Sequence, residues 1–189
     1  MTIRRIIVRA AAERGFVSMW TSLVVPVLEW ADDGRNSEAA AASVRVFTDC
    51  VAGIVSTMTL DAPIGAGGRV LLVRVPVDTR EAVPPDPYGL EFRALGAALA
   101  TASVDTRTAL PVCRSALLAA VTNAEPDVII LWLPSSGCDV PSLVRAIRRR
   151  RTGLTVLASG PGCHAQELPR SIAALGTLGE AVDAVLAVT

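Results

Sequence analysis

Two zones of different periodicity predict an α/β protein. Up to about Met58, apolar residues recur every three or four positions, as on one face of a helix. From Arg69 onward, short continuous apolar runs alternate with helical stretches, and such runs mark strands buried on both faces of a parallel sheet. Apolar residues make up 51% of the 189, mostly Ala, Val and Leu, enough to bury a sizeable core. The predicted architecture is a helical bundle over 1–59, a linker over 60–68, and a Rossmann-like (flavodoxin-like) five-stranded parallel sheet with its helices over 69–189.

A first helix is expected from Ile3 to Glu13, ended by Gly15. "FVSMWTSLVVPVLEWADDG" reads as a second helix, which Pro26 kinks or breaks and Gly34 follows. In "SEAAAASVRVFTDCVAGIVSTM", Val44, Phe47, Val51, Ile54 and Met58 share one helical face, with Asn36 or Ser37 as cap. Strands fit Val70–Val75, Val128–Leu133 and Leu154–Ala158, with weaker ones at Ser103–Thr108 and Ile172–Leu175. Helices fit Gly89–Ala102, Pro111–Asn123, Pro141–Arg151 and Leu178–Val188 between them. Right-handed crossovers are expected, with ligands at the carboxyl ends of the strands. The Pro-rich loop "PVDTREAVPPDPYG" leaves the first strand at that edge. It is too acidic, and too poor in glycine, to cradle phosphate.

Several function classes are disfavoured. Net charge is zero, so no global field draws nucleic acid or an anionic membrane. No segment is expected to reach the ~18 apolar residues of a spanning helix. The short run Ile6-Ile7-Val8, broken by Arg9, does not make a signal peptide, and a cytoplasmic protein is expected. Cys50, Cys113, Cys138 and Cys163 are widely spaced and expected to be free thiols. No G-x-S-x-G, P-loop or G-x-G-x-x-G follows the first strand, so no enzyme is expected. "RAIRRRRTG" reads as the cationic last turn of a helix, complementing its dipole.

A helical segment carrying "PVLEW", followed by five β-α units, resembles the cobalamin-binding module of MerR-type light- or B12-responsive regulators and of corrinoid carriers. "RAAAERGFVSMWTSLVVPVLEWADDG" resembles the second and third helices of that family's bundle. "GGRVLLVRV" and "AEPDVIILWLP" resemble the first and third strands of its α/β domain. The resemblance implies a bundle capping one face of a corrinoid, with the sheet holding the other face and the nucleotide tail.

It also implies a candidate cofactor-binding set of Trp30, Asp86, Gly89, Trp132, Ser135, Gly160 and His164. Trp30 matches the family's capping Trp, but Ala40 and Ala41 stand where light-sensing members have Glu-His. If Gly89 is the glycine of the family's Asp-x-His-x-x-Gly, Asp86 replaces the cobalt-binding His and Pro84 the Asp. Trp132 takes the place of a Ser beside the tail, and Ser159-Gly160 stands for Gly-Gly after strand four.

His164, the sole histidine, is the one candidate metal ligand, for cobalt or haem iron; an exposed, non-ligating side chain is the plainer reading. The expected role is a non-catalytic regulator or sensor, without His-ligated cobalamin, acting on transcription through a protein partner. The alternative is a corrinoid carrier or a subunit of a corrinoid-dependent enzyme; haem in place of the corrinoid is a more remote one. The bundle reads one helix short. Part of the Val44, Phe47, Val51, Ile54 face is therefore expected to be wet, favouring an oligomer or a docked partner.

Overall fold

The computed structural model describes residues 2–32, 38–61, 68–76, 89–163 and 166–189. Asp86, His164, the capping candidates Asn36 and Ser37, and most of the first-strand loop lie outside them.

Helix α1 (Ile3–Arg14) buries Ile7 and Ala11. It ends at Gly15, whose φ of 83° favours glycine and whose N–H donates to the Ala11 carbonyl. The second predicted helix is continuous in direction but not in type. It runs as α2 (Phe16–Met19), a π turn (Trp20–Val24) and α3 (Val25–Asp32). Pro26 explains the change. It has no N–H for the Ser22 carbonyl, and its ring crowds that carbonyl. The π turn relieves this by bonding Val25 N–H five residues back, to Trp20. The expected kink or break is thus a π turn just before the proline.

Helix α4 (Glu38–Asp61) carries the predicted apolar face, and its orientation narrows the expected wet surface to the ends of that face. Val51 and Ile54 are buried, as is Val55, while Val44, Phe47 and Met58 are half-buried. This face packs on helix α5 (Leu90–Thr101) and on α1 and α3. The reason lies in α5, where Leu90, Phe92 and every residue from Ala94 to Leu99 are buried. A helix apolar all round must be covered on both sides. A second correction concerns length: Glu38–Leu60 is long and apolar enough to cross a membrane.

The sheet is parallel throughout, in the order β2-β1-β3-β4-β5. Its strands are β1 (Arg69–Arg74), β2 (Asp105–Ala109), β3 (Val128–Trp132), β4 (Thr155–Ser159) and β5 (Ala173–Leu175). Side chains alternate between two apolar clusters. Val70, Leu72, Val128, Ile130, Trp132 and Leu157 join the cluster of α5, α8 (Leu178–Leu186) and the bundle. Leu71, Val73, Ile129, Leu131, Val156 and Ala158 join that of α6 (Arg114–Ala124) and α7 (Val140–Arg150). The second strand starts two residues later than predicted because Ser103, at φ 62°, turns the chain after α5. At the amino edge, Asp127 accepts the Arg69 N–H at 3.0 Å. That bond, with the Arg69 and Arg151 guanidinium groups, holds its carboxyl below the usual range.

Because α5 is covered by α4, the sheet layer depends on the bundle. A chain cut to Gly68–Thr189 is expected to bind a hydrophobic dye and lose its sharp thermal transition. A transition as cooperative as the full chain's would show that the layer stands alone.

Candidate functional site

The carboxyl ends of the strands form one row. Arg74 pairs with Trp132, Trp132 with Ser159, and Ser159 with Leu175. Val75 N–H donates to Trp132 at 2.9 Å and Leu133 N–H to Ser159 at 2.8 Å, which carries the ladder past the ends of the strands. The buried Ser159 hydroxyl donates to the Leu175 carbonyl at 3.2 Å, fastening short β5 to β4.

Over this row the bundle overhangs and leaves a cleft of about 410 Å³. Trp20 and Thr21 of the π turn and Val25 and Glu29 of α3 form one wall. The other is built from Trp132, Ser159, Gly160, Pro161 and the β5–α8 junction at Leu175–Leu178, with Glu91 from the first turn of α5. This volume lies at the small end of the ~300–1,000 Å³ of typical ligand sites.

Both indoles are held in place. Trp132 is only 4% exposed. Its ring meets Phe92 edge-on, with centroids 6.0 Å apart and planes at 75°. Trp20 stacks on Phe16 at 6.3 Å. Gly160, at φ 98°, has no room for a side chain. A Cβ there would lie 2.7 Å from the Leu133 carbonyl oxygen and 3.1 Å from Trp132 Cδ2. Gly162 is tighter still: a Cβ there would run into the Ser135 carbonyl oxygen, and its N–H donates to the Leu133 carbonyl. These contacts clamp the loop after β4 onto the loop after β3.

Two helix N-termini at this edge are capped by side chains of the chain itself. At α8, Thr177 accepts the Glu180 N–H, and the Glu180 carboxylate accepts the N–H groups of Gly176 (2.7 Å) and Thr177 (3.2 Å). At α7, Asp139 accepts the Ser142 N–H at 3.1 Å. At these two helices several of the backbone donors that elsewhere bind phosphate are thus already engaged. Among the described lining residues the charged groups are the carboxylates of Glu29 and Glu91, with no Arg or His.

A second cavity, of about 150 Å³, lies on the other face of the sheet, beside the ends of β1 and β3. Val75, Pro76, Arg114, Leu117, Cys138 and Asp139 line it. The Arg114 guanidinium is tied to the carbonyl and hydroxyl of Ser142. Burial raises the Cys138 pKa, and burial together with the neighbouring Cys138 pushes that of Cys163 up to about 11. Both are thiols, not thiolate nucleophiles, at neutral pH. Among the described residues no group of three or more His, Cys, Asp or Glu is placed to hold a metal ion.

The structure divides the sequence-derived set. Trp132 and Gly160 line the cleft. Gly89 starts α5 at φ 54°, next to the cleft but outside its lining. Trp30 is 52% exposed on the last turn of α3, and Glu29 faces the cleft instead. Ser135 does not line the cleft either. The chain has left the row by then, its carbonyl lies under Gly162, and its buried hydroxyl has no partner. Asp86 and His164 lie outside the described residues. Sequence reasoning missed Thr21, Val25, Glu29, Glu91 and the β5–α8 junction. The one available signal was "TLGE", a capping box that marks where α8 begins. No family model matches the chain, and no curated protein sequence matches it.

Two outcomes follow from the packing. Trp132→Ala is expected to destabilise the fold by about 3–5 kcal/mol in urea unfolding, because the clamped loops cannot collapse into the space. For Cys163, the folded pKa of about 11 stands above the ordinary 9.0. The retained proton favours the folded state fully below pH 9, and this contribution is lost as pH rises towards 11. The stability gap between the parent and Cys163→Ala, read from urea midpoints, should therefore narrow across that window.

Proposed function

We propose that the chain is a non-catalytic regulatory or sensor protein with a cobalamin-binding-like fold, resembling the C-terminal module of MerR-type regulators. Its cleft takes a flat ligand that carries no nucleotide tail, and ligand state is passed to transcription through a protein partner. The observation carrying this reading is the cleft between the bundle and the strand ends, walled by Trp20 and Trp132. Four free cysteines accord with a reducing cytoplasm.

The residues present do not fit a corrinoid with its tail inserted. The Trp132 indole fills the bundle side of the sheet at the end of β3, against Phe92. In the resembled family a small hydroxyl residue there leaves room for the tail. At the start of α8 the N–H groups of Gly176, Thr177 and Glu180 are already taken by the capping box.

The test compares hydroxocobalamin, adenosylcobalamin, tailless cobinamide and haem by absorbance and by quenching of tryptophan fluorescence. The closed slot predicts that a tailless tetrapyrrole binds at least about tenfold more tightly than either cobalamin, about 1.4 kcal/mol. Micromolar binding of adenosylcobalamin, with a spectral change lost on replacing one residue, would instead favour the corrinoid carrier. Silence with all four probes would reject the cleft as a tetrapyrrole site.

A further inference from the structure

The outward face of α4 carries a pattern that its own fold does not use. Ala42, Val46, Asp49, Gly53, Ser56 and Leu60 recur at spacings of 4-3-4-3-4, opposite the buried face of Val51 and Val55. That is the spacing of a coiled-coil contact line. Glu38–Leu60 is apolar enough to cross a membrane, yet only 22% of its most apolar window is buried. Val46 is 64% exposed and Leu60 84%.

Gly53 adds an independent sign. A glycine inside a helix is less stable than alanine there, and a Cβ on Gly53 would meet nothing within 4 Å. Nothing inside the described fold demands it. A glycine in such a place suits the close approach of another backbone from outside. Beside it runs a groove of about 330 Å³ between α1 and α4, lined by Arg4, Asp49, Cys50, Gly53, Ile54 and Thr57. The hydroxyls of Ser43, Ser56 and Thr57 donate to carbonyls one turn back, so covering this face strands none of these donors.

We propose that a second copy of this chain covers this face, with the two α4 helices packed antiparallel about a two-fold axis between Val46 and Asp49. The argument for a second copy is self-complementarity. The axis sets Ala42 opposite Gly53 of the other copy, small residue against small. It also brings Arg45 beside Asp49 of the other copy, and does so twice. Neither Arg45 nor Asp49 makes an ion pair among the described residues. A bilayer is a poor occupant, because Asp49 sits at the middle of the face.

The test is sedimentation equilibrium of the full chain, its Asp49→Arg and Gly53→Leu variants, and the double variant Arg45→Asp, Asp49→Arg. The parent should be a dimer at about 100 micromolar, and each single variant should dissociate at least about tenfold more readily. The charge-swapped double variant should recover the dimer. Gly53→Leu changes no charge, so it checks the contact independently. Unchanged helical circular dichroism would show that the fold survives. A monomeric parent, a dimer indifferent to both single variants, or a double variant that stays monomeric overturns the proposal. So does flotation of the parent with phosphatidylcholine vesicles.

Discussion

Everything in this molecule is arranged around the need to cover helix α5. Nearly all of its length is buried, with the sheet on one side and α4 on the other. One apolar cluster therefore runs from Ile7 in the first helix through Leu95 and Leu99 to Ile130 in the sheet. The bundle is not tethered beside an α/β unit; it is that unit's outer layer. The cleft follows from this stacking. It exists where the bundle extends beyond α5 and over the ends of the strands, so among the described residues its width is set by helix packing.

The sequence made the layering legible wherever burial was symmetrical. "VLLV" and "VIIL" are apolar on both faces because both faces are covered, and such runs announce parallel strands without any partner in view. The cleft was less legible because its walls come from places that local patterns do not connect. Thr21 and Glu29 read as the polar side of an ordinary helix, and Glu91 as a favourable charge at a helix start. Only the strand order and the overhang bring them together. Trp30 shows the converse: its match to a family position said nothing of the direction in which a helix carrying a π turn would point it. The face of α4 was correctly drawn as a stripe, but a stripe does not say whether protein or water covers it.

Several polar groups at the strand ends are already satisfied within the chain: Ser159 by Leu175, the start of α8 by Glu180 and the start of α7 by Asp139. Self-satisfied groups cost nothing to bury, but they are not available to a ligand. What the described residues leave exposed to the cleft is mainly apolar surface and the carboxylates of Glu29 and Glu91. That combination discriminates by fit and charge.

The five residues from Trp20 to Val24 have a consequence for helical phase. A regular helix advances about 100° per residue. The wider turn absorbs one residue, so α3 stands where it would in a chain one residue shorter. Were the same residues wound regularly, the direction now taken by Glu29 would fall to Leu28, and that wall of the cleft would lose its carboxylate. A detour that accommodates Pro26 thus also decides whether this wall is acidic or oily. In a related chain a single insertion or deletion in this turn would change which residue of α3 faces the cleft, with no substitution on α3 itself.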